Sequence, residues 1–374
     1  CGSTNVEGER DVMDTWMDSS ITAAVHAGWP DALDERLFPA DLQPNGYDII
    51  RTWDYYLMVR GVALFGKAQF KTALINGMVL GRTPDGEVKM MHKSLGNYVP
   101  LSEVLEKYGA DAFRLWAATA AATGSDVVFS WDGLRFTQRF LTKLWNAARL
   151  AYTFLRDYKP RRELKDEKLR DIDHWILREL SDTIERVTAS LEEYNFQEAA
   201  TKLIDFTWHK LCDHYLEAVK YRLSGKTTKE GEEAAKHTLY TVLLKLLNIL
   251  SVFTPHICDE IYHRLYEGKE KHQSITIAPW PTPPKYDEEK ARAGLVIIST
   301  IAEIRRAKHD ARIPLGQPVS TVEIYAKEPY KSILQRGIDD IKGTLRIENV
   351  KISEEGTGQR AVKEYPEITI TLTP

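Results

Sequence analysis

The sequence predicts a multidomain, mostly α chain: an α/β layer to about residue 133, a helical bundle over 134–286 and a small α+β module over 287–374. Three observations predict this. In the first zone, short apolar runs and glycine-bearing loops alternate with a helix-length segment, as in an α/β layer. In the second, apolar residues recur every three or four positions, as on the buried face of a helix. In the third, beyond a proline-rich stretch, the period falls to two, as in half-buried strands.

Taken in order, "FKTALINGMVLG" (Phe70 to Gly81) reads as a strand entering a loop, and "RTPDGEVKM" (Arg82 to Met90) turns at Pro84-Asp85-Gly86. "LSEVLEKYGADAFRLWAATA" (Leu101 to Ala120) reads as one helix with Ser102 as N-cap. Leu239, Val242, Leu246, Ile249 and Phe253 form one helical stripe, which Pro255 kinks or ends. Phe196, Ala200, Leu203, Thr207, Leu211, Tyr215 and Val219 form a second, and Trp175 to Leu191 a third. An antiparallel bundle buries all three. "APWPTPPKYDEE" (Ala278 to Glu289) is a linker. One helix follows, from about Asp287 to Asp310. Then come the strand-like runs "TVEIYA", "LRIENVKIS" and "EITITLTP".

Composition narrows the function. A net charge of -4 over 374 residues is not the global basic field of a DNA-coating protein, although local basic faces remain open. No apolar run reaches the roughly 18–20 residues of a membrane span, and the polar, acidic start is no signal peptide. Of the three cysteines, Cys212 and Cys258 sit in apolar helical patterns and read as small buried hydrophobes, so a reducing, cytoplasmic compartment is expected. The chain opens on Cys-Gly rather than Met, and is expected to be a piece of something longer.

Chemistry concentrates in the first zone. "KMMHKSLGN" (Lys89 to Asn97) places Lys93 and Ser94 between a strand and a helix. A lysine and backbone N–H groups on a flexible loop can follow phosphate charge during phosphoryl or nucleotidyl transfer. The spacing is not that of a P-loop. Taken alone, a solvated turn with two lysines explains the stretch more simply. Two neighbours favour a ligand site. "NGYDIIRTWDYY" (Asn45 to Tyr56) has Gly46 for close backbone approach, and Asp48 to take ribose hydroxyls or an ammonium. "DVMDTWMDSS" (Asp11 to Ser20) adds an acidic turn bearing a tryptophan.

Together these segments resemble the class I aminoacyl-tRNA synthetases, in particular the valyl group of archaeal type. Met91-His92-Lys93-Ser94 before Leu-Gly-Asn is similar to the K-M-S-K-S signature. "DVMDTWMDSS", "GYDII..W" and "YGADAFRLW" are similar to segments of the nucleotide domain. "FLTKLWNAARLAYTFL", "DHWIL", "YNFQEAATKLIDFTWHKLCDHYLEAVK" and "FTPHICDEIY" resemble the helical anticodon-binding domain, and "SITIAPWP" its exit segment. The likeness covers about residues 1–320. It implies that the first zone is the C-terminal half of a Rossmann-like catalytic domain and the second an anticodon-binding bundle. It also implies ATP (as its Mg2+ complex), valine and valine tRNA as partners, and neither membrane nor DNA.

By that resemblance Lys93 and Ser94 are catalytic, and Gly46, Asp48, Gly77, Met78, Val79, Met91, His92 and Lys93 bind ATP or the adenylate. Trp16, Ile49 and Trp53 form an apolar valine pocket. The isoleucyl pattern has Gln after the Asp of G-x-D and D-V-W-F-D-S-G in the acidic turn. Here Ile49 follows Asp48, and the turn reads Asp-Thr-Trp. Two indoles and a β-branched residue exclude longer side chains by volume, though such pockets separate single methylenes only modestly. Aligned on Lys93-Ser94, Met90 replaces the first signature lysine and His92 the first serine, with Lys89 one residue early.

The partner signature H-I-G-H is absent; His26-Ala27-Gly28-Trp29 is the nearest match and reads as structural. No segment resembles the editing domain, so a missing N-terminal half of the synthetase is an expected partner. Cys1 would be the remnant of a zinc knuckle, and one cysteine cannot hold tetrahedral zinc, so no structural zinc is expected. Half a doubly wound sheet should also expose an edge and an apolar face. Arg135, Arg139, Lys143 and Arg149 are candidate RNA contacts, or else a solvated basic face. Trp145 and Asn146 read as an anchor between the first two zones. His209, Cys212, Asp213 and His214 read as packing and surface hydrogen bonding rather than zinc ligands. Arg305, Arg306, Lys308 and Arg312 are the densest basic run, touching RNA or capping the last module. A stand-alone tRNA-binding module and an isoleucyl or leucyl relative are the competing readings.

Overall fold

The computed structural model describes residues 2–160 and 168–373. Cys1, and with it the zinc-knuckle expectation, lies outside the described residues. The chain divides into two compact units: Cys1–Pro100 with Ala121–Phe129, and Leu101–Ala120 with Ser130–Pro374.

In the first unit, two short helices, α1 (Thr15–Ser19) and α2 (Thr22–His26), precede strand β1 (Ala40–Gly46). A 3-10 turn (Tyr47–Ile49) and a wider π-type turn (Ile50–Asp54) then lead into α3 (Tyr55–Phe65), which Gly66 ends at φ 68°. Strand β2 (Phe70–Asn76) pairs parallel with β1, so Gly46 faces Asn76 at their common carboxyl end. Strands β3 (Val79–Arg82) and β4 (Val88–Met90) form an antiparallel hairpin, and β5 (Val127–Val128) joins β3 in parallel. The Gln69 side-chain amide donates to the carbonyls of Ser20 (2.7 Å) and Leu57 (2.9 Å), tying α1 and α3 to the start of β2. Helix α3 buries Leu57 and Gly61 but leaves Tyr55, Met58, Val59, Val62 and Leu64 exposed. Gly28, at φ 98°, has no room for a side chain against the Ala32 carbonyl, which gives the His26-Ala27-Gly28-Trp29 turn a structural role.

The second unit begins with α4 (Leu101–Ala120), which corrects two expectations. Pro100, not Ser102, stands at the N-cap, and no side chain caps the helix. The helix is also not continuous: Gly109 sits at φ 78°, ψ 168° and breaks it into two pieces. That backbone conformation is open chiefly to glycine. Although the sequence places this segment in the first zone, α4 packs in the helical unit, on α5 (Trp131–Leu155) and α7 (Phe196–Asp205).

Helices α6 (Asp171–Glu192), α7 (Phe196–Asp205), α8 (Leu216–Leu223), α9 (Lys229–Leu250) and α10 (Pro255–Tyr266) complete the bundle. A π-type segment, Phe206–Tyr215, joins α7 to α8. Pro255 opens α10 at its first turn, where a missing N–H costs nothing. The predicted stripes line the core: Leu239, Val242, Leu246 and Ile249 are buried, as are Leu203, Thr207, Leu211, Tyr215 and Val219. Burial pushes the Cys212 thiol up to about 12 and that of Cys258 higher still.

One fully buried ion pair crosses this core. Arg222 donates to both carboxylate oxygens of Asp173 (3.0 and 2.7 Å), and the Tyr215 hydroxyl and Arg170 N–H complete its hydrogen bonding. Burial pushes Asp173 up, but the Arg222 charge and these bonds outweigh it and hold the carboxyl below its usual value.

Helix α11 (Glu288–Asp310) lies along α6 and carries the last module. Its sheet has the order β7-β6-β9-β8, from β6 (Val319–Tyr325), β7 (Ile347–Ser353), β8 (Arg360–Val362) and β9 (Tyr365–Thr373). Strands β6 and β7 are parallel. Parallel neighbours require a crossover. It is supplied by α12 (Tyr330–Arg336) and α13 (Ile338–Leu345), which the sequence reading missed. Leu345, expected in a strand, ends α13, and Arg346 at φ 54° turns the chain into β7.

Candidate functional site

The loop after β4 is built on the β3–β4 hairpin. Gly86, at φ 91°, closes the hairpin turn with its N–H on the Thr83 carbonyl (2.9 Å). After Met90 the chain runs extended through His92, makes one 3-10 turn (Lys93–Leu95) and leaves through Gly96 at φ 66°. Asn97 organises this path. It is 4% exposed, its Oδ1 accepts from the His92 N–H (2.8 Å), and its Nδ2 faces the carbonyls of Met90 (3.0 Å), Lys89 (3.2 Å) and Gly81 (3.3 Å). A side chain at Gly81 would meet the Asn97 carbonyl at 2.2 Å, so glycine there lets the loop fold back onto β3.

Within the loop the two lysines differ. Lys89 pairs with Glu87, whereas the Lys93 ammonium lies 5.5 Å from the centre of the Tyr98 ring. His92 Nδ1 and Ser94 Oγ are 3.0 Å apart, so the two residues that flank Lys93 are held to each other. Met91 is half-buried, and His92, Lys93 and Ser94 are exposed.

The other candidates sit at strand ends of the same unit. A side chain on Gly46 would meet Asp48 Oδ1 at 2.5 Å; one on Gly77 would meet the Ser125 carbonyl at 2.0 Å. Glycine at Gly77 thus lets the Ser125 backbone pack against the end of β2, and at Gly46 it leaves room for Asp48; both lie at carboxyl strand ends, where open α/β sheets take ligands. Asp126 Oδ1 accepts from the Met78 N–H (2.8 Å), and the Tyr47 hydroxyl reaches Asp126 Oδ2 at 3.4 Å. Desolvation, then the Asp126 charge, raises the Tyr47 phenol. Asp48 and Val79 are exposed. Trp16 packs edge-to-face on Tyr56 of α3 (6.0 Å), and Ile49 and Trp53 lie on the turns that lead into that helix; all three are half-buried. Buried Asn45 donates to Asp54 (3.0 Å) and braces the turn that carries them.

On the helical unit the basic candidates of α5 part company. Arg135 pairs with Asp132, and Arg139 is exposed. Lys143 bonds Asp213 (2.6 Å) and lies 4.4 Å from the Trp208 ring, itself stacked on Phe136. Arg149 points elsewhere. It lines a cavity of about 260 Å3 between α5 and α10 with Trp145, Tyr152, Ile261 and Arg264. Arg264 lies 5.2 Å from the Trp145 ring. Asn146 is exposed and Trp145 is half-buried in this cavity. His209 bonds Asp213, His214 meets the edge of Trp175, and Cys212 is buried.

Two family profiles cover most of the chain: "tRNA synthetases class I (I, L, M and V)" matches residues 1–130, and "Anticodon-binding domain of tRNA ligase" matches residues 173–324. The chain belongs to the class I tRNA synthetases. This synthetase chain is 42% identical over 370 residues to the valine–tRNA ligase of Methanothermobacter thermautotrophicus, covering 98% of the chain and 40% of the relative. The corresponding figure for the Pyrococcus horikoshii valine–tRNA ligase is 38% over 381 residues, covering 98% and 42%. The chain thus spans about two fifths of these curated relatives' length. Among solved structures, an Agrobacterium radiobacter K84 LeuRS in ternary complex with tRNA and LeuAMS matches at a TM-score of 0.60 and 22% identity, covering 78% of this chain and 35% of that one. That likeness shows a shared fold.

The sequence reading of this class I synthetase chain missed Asn97, Asn45, Tyr152 and Arg264. Tyr152 stands seven residues after Trp145, two helical turns along the same face, and that spacing was a usable signal. Nothing local marks the two asparagines, because their partners are backbone groups and a carboxylate brought in by the fold.

Proposed function

We propose that this chain is the C-terminal portion of a valyl-tRNA synthetase, contributing to ATP-dependent activation of valine and its transfer to valine tRNA. On this reading residues 1–133 belong to the catalytic domain, 134–286 to the anticodon-binding bundle and 287–374 to an accessory module; a cytoplasmic location accords with it. The observation that carries the proposal is the loop held by Asn97, which offers Lys93 to solvent while Lys89 is occupied by Glu87. In activation the valine carboxylate attacks the α-phosphorus of ATP, and the bond to the β-phosphate oxygen breaks to release pyrophosphate. Charge builds on the leaving group, and a positioned ammonium lowers the barrier most when it meets that charge in the transition state.

ATP would enter as its Mg2+ complex. The nucleotide would meet the carboxyl ends of β1 and β2 beside Gly46 and Gly77, with Asp48 on the ribose or the amino group of valine. Met78, Val79, Met91 and His92 would line its path, and Ser94 would support Lys93. Trp16, Ile49 and Trp53 would enclose the valine side chain. For tRNA, Arg149 and Arg264 beside Trp145 and Tyr152 combine phosphate-binding charge with rings on which an unpaired base can stack. Arg139 and Lys143 extend the basic surface of α5.

The test is valine-dependent ATP–pyrophosphate exchange in the synthetase that contains this chain. Lys93→Ala should lower the rate by roughly 100- to 1,000-fold, the usual loss for one preorganised donor; Lys89→Ala should lower it far less. Equal losses would defeat the assignment. The isolated chain should not aminoacylate valine tRNA robustly. The altered signature at Met90 and His92 favours a second reading, an RNA-binding module without catalysis. Exchange activity in the full enzyme would eliminate it.

A further inference from the structure

A second basic surface lies away from the α5–α10 cavity, where the C-terminal module meets α8. Its construction is specific. Lys308 is fully buried, and its ammonium donates to the carbonyls of Gln317 (2.6 Å), Leu315 (3.2 Å) and Leu345 (3.3 Å), fastening the turn after α11 to the end of α13. Arg346 adds a bond to the Gly316 carbonyl (2.8 Å). Gly343 lets α13 lie directly against the Tyr221 ring of α8, since a side chain there would come within 2.4 Å of it. Asp340 then accepts from the Tyr221 hydroxyl (2.6 Å) and Arg170 (3.0 Å).

The result is a cleft of about 620 Å3 that shares Arg305 and Leu315 with a neighbouring one of about 640 Å3. Lys220, Lys226, Lys342 and Arg346 line the first with Arg305, and Arg306 and Arg312 line the second. The only carboxylates among the lining residues are Glu217 and Asp213, and Glu217 is paired with Lys220. Asp213 is engaged by Lys143. Arg306 is paired with Glu303, whereas Lys226, Arg312 and Lys342 make no ion pair among the described residues. The positive charge left unpaired on Lys226, Arg312 and Lys342, with Arg305 and Arg346 bonded only to carbonyls, suits an anionic partner on a chain of net charge -4. The field is felt nearby: burial and then Arg305 lower the His214 pKa, and burial and then Arg346 lower that of Lys308.

We propose that this double cleft grips the phosphodiester backbone of the same folded RNA that the α5–α10 cavity contacts. The inference rests on the RNA-binding reading above and adds a separate, sequence-independent contact. The anticodon-binding profile, at residues 173–324, covers the α8 and α11 side of the cleft, while Lys342 and Arg346 lie beyond it. Backbone contacts position an RNA without reading it.

The experiment measures binding of the whole chain to a valine tRNA transcript by fluorescence anisotropy, between about 50 and 200 mM salt. The double variant Lys226→Glu/Lys342→Glu should weaken binding by tenfold or more and flatten the log–log salt slope by about 1.5, since each lost phosphate contact removes roughly 0.7–0.9. Lys226→Arg/Lys342→Arg should bind as the parent does. A transcript with a changed anticodon should lose the same factor on parent and variant. If the Glu variant keeps parental affinity and slope while Arg149→Glu weakens binding, the cleft proposal falls and the RNA reading stands. If the parent chain does not bind the transcript at all, both fall. A variant that loses only inorganic polyphosphate, and not the transcript, likewise overturns the proposal.

Discussion

Replacing Asn97 by alanine should release the loop that carries Lys93. The side chain makes one bond as acceptor, from the His92 N–H at 2.8 Å, and its two amide protons are shared among the Met90, Lys89 and Gly81 carbonyls at 3.0–3.3 Å. That is three effective hydrogen bonds at a site 4% exposed. Each contributes about 1 kcal/mol net, with more at risk where a partner stays buried and unsatisfied. Water can reach part of the opened loop, so the local loss should be roughly 2–3 kcal/mol. Converted at about 1.4 kcal/mol per tenfold, this corresponds to a roughly 30- to 150-fold rise in the opening equilibrium. The assay is amide hydrogen exchange: the His92 N–H should lose protection by that factor, and amides of the second unit should not change. Unchanged protection of His92 in Asn97→Ala would show that the loop is held by its backbone path alone.

Two further expectations concern stability. Asp173→Asn should cost about 3–5 kcal/mol in urea unfolding, because it strands the buried guanidinium of Arg222. Because the Asp173 carboxyl is lowered in the folded state, its contribution is present above the ordinary carboxylate range. It is lost as pH falls through the lowered value, so the parent should shed this stability in acid and Asp173→Asn should lack that component. Gly77→Ala should cost about 1–3 kcal/mol by forcing the β2 end away from the Ser125 carbonyl. Gly8→Ala, with nothing within 4 Å, should leave the melting temperature unchanged; equal effects at both positions would refute the close-approach argument.

Much of this protein is legible along the chain because it depends on local periodicity. The stripes through Leu239–Ile249 and Leu203–Val219 bury as their spacing requires, since the period of a helix alone brings those residues to one face. Gly86 marks its turn and Pro255 its helix start for equally local reasons. The string around Lys93-Ser94 is recognisable because its residues are contiguous.

Tertiary structure decided what depends on partners far away in sequence. A glycine reads alike whether it breaks a helix, as Gly109 does, or admits another chain segment, as Gly77 and Gly343 do; only the packed neighbour distinguishes them. The strand-like run at Leu345 became a helix end because β7 pairs parallel to β6, and such pairing demands a crossover between them. Equally, four basic residues of α5 look alike in sequence, yet Arg135 and Lys143 meet carboxylates and Arg149 meets an aromatic cavity. The basic run Arg305–Arg312 acquires direction the same way: Lys308 turns inward onto three carbonyls and Arg312 stays exposed. Charge type is written in the sequence, but whether a charge is neutralised depends on distances that only the folded chain sets.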